Sequence, residues 1–273
     1  MPLLNETLMV SNMSQVFSKC HIFNFSESYA YADKVRKAIF EDLYAIEPID
    51  VASDLENQIA KPKKWTLLHD YIDYVVRDDL NFYFRGGGWD YDDVLPIISM
   101  LDSHRIQHLT LEQYIEGWCR DDDTGETISV TEELIEKYKY QYASEYLEDI
   151  ALENLPSLIV TEVFTLLFAD REAMKAFNLK VAEGLGVRTP RCTYWPKWLE
   201  RALFCREKGL CAICKTDLTS LHHVNGKLAI DHIVPIALDG VNDPTNLQIL
   251  CESCNGKKSG SQVVTSNALP VFW

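Results

Sequence analysis

Two Cys-x-x-Cys pairs, Cys211/Cys214 and Cys251/Cys254, flank the string Asp231-His232-Ile233-Val234-Pro235 and the run Asn246-Leu247-Gln248. Each pair closes a tight knuckle whose thiolates can point at one ion, and two knuckles supply the tetrahedral sulfur set that Zn²⁺ prefers. Disulfides would require an oxidising compartment. The start, Met1 to Cys20, lacks the basic flank and cleavage pattern of a secretory signal, so the expectation is a structural zinc in a cytoplasmic protein. Cys20, Cys119, Cys192 and Cys205 lack paired spacing and read as small buried hydrophobes, although Cys205 is close enough to Cys211 to compete for the ion.

Between the knuckles the residues sort by chemistry. Asp231 offers a hard carboxylate oxygen, His232 a base that titrates near neutral pH, and Asn255 a neutral carbonyl oxygen. Leu228-Ala229-Ile230 predicts a short strand ending at the Asp-His pair, Leu247 to Leu250 a second strand, and Glu252 to Lys258 a short helix carrying Asn255. Successive strand residues point to opposite faces, so Asp231 and His232 should diverge, one toward a metal and one toward a nucleophilic water. Asn246 is also placed to cap the turn that begins at Asp243-Pro244. His222 and His223, before the Asn225-Gly226 turn, read as exposed strand residues, with DNA contact as the alternative.

At these residues the chain resembles the HNH endonuclease family, with its ββα-metal fold, in the subgroup stapled by four cysteines. The matching text is Cys-Ala-Ile-Cys, Ile-Asp-His-Ile-Val-Pro, and Asp-Pro-Thr-Asn-Leu-Gln-Ile-Leu-Cys-Glu-Ser-Cys-Asn-Gly-Lys-Lys, within about residues 197–260. The resemblance implies that His232 is the general base, that Asp231 and Asn255 bind the catalytic divalent ion, and that Asn246 braces the loop orienting His232. The family often has histidine where Asn255 stands, and an oxygen ligand there shifts the expected ion toward Mg²⁺ or Mn²⁺. Phosphodiester hydrolysis needs a deprotonated water, neutralised phosphoryl charge and a stabilised leaving oxygen, which a base and one ion can supply. Lys257 or Lys258 would hold a flanking phosphate. Prokaryotic restriction or anti-phage defence is the setting the resemblance suggests. The alternative is a zinc-stapled nucleic-acid-binding or partner-binding adaptor without turnover.

These elements sit in a chain of 273 residues with a net charge of −15 and 47% apolar residues, a globular composition. No continuous apolar run reaches the ~18–20 residues of a membrane span. From Arg191 onward there are nine Lys/Arg against seven Asp/Glu, a charge of +2 that leaves −17 on the preceding residues. An acidic body of that charge repels DNA, so the expected contact stripe is C-terminal: Arg188, Arg191, Lys197, Arg201, Arg206, Lys208 and Lys215.

The first 190 residues predict helices. Val35, Ala38, Ile39, Leu43 and Ile46 follow helical spacing, as do Trp65, Leu68, Ile72 and Val75. Leu134, Tyr138, Tyr142, Tyr146 and Ile150 recur every fourth residue, and Leu158 to Phe168, apolar on nearly all sides, predicts a buried helix. Breaks fall at Arg85-Gly86-Gly87-Gly88, at Asp121-Asp122-Asp123-Thr124-Gly125, and at Gly184 to Pro190. The triple glycine reads as a loop, since no Lys-Ser/Thr follows to make a phosphate cradle. The expected architecture is therefore a mainly α domain over residues 1–188, acidic and of open role, and a small α+β zinc-stapled ββα-metal domain over residues 189–273. DNA is the expected substrate, with a partner protein or a second copy on the acidic helices.

Overall fold

A computed structural model describes residues 23–41, 55–85, 90–118, 129–185, 188–220 and 228–271. Cys20, Leu43, Ile46, Gly86 to Gly88, Cys119, Asp121 to Gly125, His222, His223 and the Asn225-Gly226 turn lie outside these residues. The chain is mostly helical, with one two-stranded antiparallel sheet near the C-terminus.

Helices α1 (Ser28–Glu41), α2 (Leu55–Ala60), α3 (Leu67–Arg85), α4 (Leu95–Ser103) and α5 (Leu111–Trp118) precede a long helical rod. The rod comprises α6 (Glu132–Gln141), a π-helical turn (Tyr142–Leu147) and α7 (Glu148–Phe168); α8 (Arg171–Leu185) follows. The four-residue recurrence of Leu134, Tyr138, Tyr142, Tyr146 and Ile150 explains the π turn. Side chains every fourth residue drift by about 40° per step on a 3.6-residue helix, and a wider turn brings the stripe back toward its partners. Tyr142 and Tyr146 accordingly pack with Tyr114 of α5, at ring separations of 5.4 and 5.5 Å.

Helix α7 is the centre of the helical core, with α1 and α3 packed on it. The segment Glu132–Phe168 is long and apolar enough, by length and composition, to cross a membrane. Its apolar residues do not form an unbroken run, because Glu153, Ser157, Thr161, Glu162 and Thr165 interrupt them, the two threonines returning their hydroxyls to backbone carbonyls one turn back. In the fold its Ala151, Leu155, Ile159, Val160 and Val163 are fully buried. Its buried carboxylate, Glu162, accepts from Ser28 Oγ at 2.6 Å and from the Asn24 and Phe25 amides at 2.8 and 3.1 Å, which satisfies it at the entry to α1.

The C-terminal region adds α9 (Lys197–Arg206), β1 (Ala229–His232), β2 (Leu247–Leu250) and α10 (Glu252–Lys258). The strands pair antiparallel with Ala229 opposite Leu250 and His232 opposite Leu247, and α10 packs on both. A second apolar cluster forms here from Leu199, Leu203, Leu218, Leu247, Ile249 and Leu250. Ile233 and Val241, which flank the turn after β1, instead join the core of the helical body.

Candidate active site

The four cysteine sulfurs lie within 4.8 Å of one another, and they form the only group of three or more such ligands among the described residues. Cys214 and Cys251 Sγ are 3.7 Å apart, which suits zinc, since Zn–S bonds of ~2.3 Å place tetrahedral sulfurs ~3.8 Å from one another. The first knuckle is a small hairpin closed by Cys211 N donating to Thr216 O, with Lys215 in the left-handed region at φ 62°. The second is the start of α10, where Cys251 Sγ accepts from Cys254 N. Thr216, through its hydroxyl and amide, holds the Cys214 thiol at about 6. Burial and neighbouring thiols push Cys254 up to about 12. Four thiols so close cannot all ionise without a cation among them, which is the chemistry a dication provides. Cys205 is exposed and Cys192 half-buried, so neither is the buried hydrophobe expected, and neither joins the cluster.

Asp231 and His232, consecutive on β1, leave the strand on opposite faces. Asp231 Oδ2 meets Lys258 Nζ at 3.0 Å and Gln248 Nε2 at 3.2 Å. Both of these donors fall on Oδ2. Lys258, expected to reach a phosphate, is buried and turned inward instead, its ammonium also donating to His232 O at 2.7 Å. One helical turn from Cys254, it points toward the strands as that cysteine does, while Asn255 and Lys257 are exposed.

His232 is half-buried, with its Nε2 2.9 Å from Asn242 Oδ1 and the Trp195 ring against it edge-on at 5.8 Å. Burial lowers its pKa below the ordinary histidine value, against a smaller opposing pull from Asn242 and Asp231. The ring is thereby kept neutral, the state in which it can take a proton. Asn246 is fully buried and clamps the loop after His232: Oδ1 accepts from Val234 N at 2.8 Å, and Nδ2 donates to Val234 O and Val241 O at 2.9 Å each. The turn's capping is done by Asp243, whose side chain accepts from Thr245 N. A β-carbon at Gly240 would lie 1.9 Å from Val234 O, so only glycine fits where this loop doubles back.

Asn242 escaped the sequence reading. It is fully buried, and its Nδ2 donates to Ala60 O at 2.9 Å and Pro190 O at 2.8 Å. The basic stripe also needs correction. Lys197, Arg201, Lys208 and Lys257 are exposed, but Arg206 is buried, its guanidinium held by Glu207 and the Leu247 carbonyl and stacked 4.6 Å over Phe168. At the end of α9 it faces the protein core, where an acidic partner and an aromatic ring replace the phosphate.

No curated protein and no solved structure matches the chain. The family model for HNH endonuclease matches residues 211–261. Both knuckles, the Asp-His strand, its antiparallel partner and the closing helix all fall inside that span, and it is this part of the chain that is similar to the HNH endonuclease family.

Proposed function

We propose that this protein is a metal-dependent endonuclease that hydrolyses DNA, with His232 as general base, zinc as a structural staple on Cys211, Cys214, Cys251 and Cys254, and Mg²⁺ or Mn²⁺ at Asp231 and Asn255. The observation that carries the reading is the divergence of Asp231 and His232 from the end of one strand, each held by its own buried amide partner. A carboxylate and an amide oxygen suit a hard cation that keeps most of its waters, and a cation bound there supplies neutralising charge to the phosphoryl group. His232 takes the proton from the attacking water. Lys258 fixes the Asp231 carboxylate and the His232 carbonyl together, so the strand end does not shift as charge develops. Lys197, Arg201, Lys208 and Lys257 supply exposed cations for the DNA backbone. The resemblance of residues 211–261 to HNH endonucleases is what supports a setting in restriction or antiviral defence.

Plasmid DNA incubated with the zinc-loaded chain and Mg²⁺ or Mn²⁺ tests this. Cleavage is expected in the wild type, with His232→Ala slower by at least ~10²-fold while zinc content, helicity and DNA affinity persist. A wild-type chain that binds DNA and never cuts it would make this a binding module. Undiminished cleavage by His232→Ala would move the base elsewhere.

A further inference from the structure

We propose that Asn242 is a positioning residue for the general base: it locks His232 in the tautomer with the proton on Nε2 and the lone pair on Nδ1, and the helical body holds Asn242 in place. The inference rests on the nuclease reading for its catalytic consequence, but the geometry stands independently.

An amide side chain has one donating and one accepting end, and its partners decide which way it lies. The Ala60 and Pro190 carbonyls can only accept, so both require the NH₂ end of Asn242, at 2.9 and 2.8 Å. Its Oδ1 is then committed to His232 Nε2 at 2.9 Å. Two lone pairs would repel across that distance, so Nε2 carries hydrogen. A neutral imidazole has one N–H, which leaves Nδ1 as the nitrogen able to accept a proton. After proton uptake Nε2 is still a donor, so the same bond persists through a turnover and the ring has no reason to flip.

The anchors lie outside the HNH-matched residues 211–261. Besides the two side-chain bonds, Asn242 N donates to Ile59 O at 3.1 Å, so α2 grips both the backbone and the side chain of this residue. The adjacent Asp243 Oδ2 accepts from Leu67 N at the start of α3, at 2.9 Å. The acidic helical part thus has a definite role, completing the support of the base that the matched segment alone does not contain.

Full-length protein carrying ¹⁵N-labelled histidine provides the test, with the His232 ring signals identified by their loss in His232→Gln. The wild type should show the Nε2–H pattern in two-bond ring correlations. In Asn242→Leu, close in shape but with no acceptor, the signals should move to a mixture of tautomers. Plasmid-cleavage kcat should then fall by roughly 10–100-fold with KM for DNA little changed. An Nδ1–H pattern or a tautomer mixture in the wild type overturns the proposal, even if the variants do not fold. An unchanged tautomer and kcat in folded Asn242→Leu overturns it as well. If the wild type cuts no DNA yet the tautomer shifts in Asn242→Leu, the nuclease reading fails and the lock stands.

Discussion

Single side chains in this protein are held where proton position matters, and His69 is the case outside the candidate active site. Thr66 and His69 form a reciprocal cap at the start of α3: His69 N donates to Thr66 Oγ1 at 3.3 Å, and Thr66 N donates to His69 Nδ1 at 3.1 Å. The ring also stacks on Phe164, 3.7 Å between centroids. Burial pushes its pKa down from 6.5 to about 4. Protonation of Nδ1 would place one donor against another, and the unfolded chain takes that proton first. The contribution to stability is therefore complete above pH 6.5 and lost as pH falls toward 4, a loss of roughly 3 kcal/mol. His69→Asn retains an acceptor for Thr66 N and cannot titrate. Its unfolding free energy, from urea melts across that range, should depend less steeply on pH than the wild type's, and equal slopes would refute the assignment. Asp231, His232, Asn246 and the cysteines were legible in the sequence because their types and spacing carry chemistry. Asn242 was not, since a lone asparagine beside Asp243-Pro244 reads as an ordinary turn residue until its carbonyl partners, distant in sequence, are in place.

At the scale of elements, β1, β2 and α10 follow from short apolar runs punctuated by cysteine and proline, and α10 spans Glu252–Lys258 as its sequence predicts. The basic stripe on α9 was harder, because charge alone does not say which face is buried. Arg206, at the end of that helix, and Arg171, at the start of α8, share the buried carboxylate of Glu207. Arg171 Nε further donates to Ser266 O at 2.6 Å, and its backbone N to Asn267 Oδ1 at 2.7 Å. A carboxylate between two guanidiniums is stable only while it remains charged, for its removal leaves two buried cations facing each other. Glu207→Gln is expected to lower the free energy of unfolding by about 3–5 kcal/mol, read as a reduced urea midpoint at unchanged slope. A change within error would mean that the guanidiniums reach solvent instead.

For the whole molecule, the charge split between the first 190 residues and the rest suggests two separable bodies, yet the contacts join them. Asn242 with Ala60, Asp243 with Leu67, Thr245 with Asn178 at 3.1 Å, and Arg171 with Glu207 all link the helical part to the C-terminal part. Ile233 and Val241 are built into the helical core. Such links leave no period in the sequence: each is one polar group meeting another more than 30 residues away. If either part opened alone, these buried groups would lose their partners at about 1–3 kcal/mol each. Four or more such losses rival the 5–15 kcal/mol that hold a typical domain together. The expected outcome is one cooperative transition on heating, with far-ultraviolet ellipticity and zinc release, followed by a chromophoric chelator, sharing a midpoint. Stripping zinc beforehand should then lower the melting temperature of the helices too, because the knuckles fix β2 and α10, against which Arg206, Asp243 and Asn246 are set. Zinc release well below the helical transition would show that the HNH part opens alone, and the supports of His232 would then be local to it.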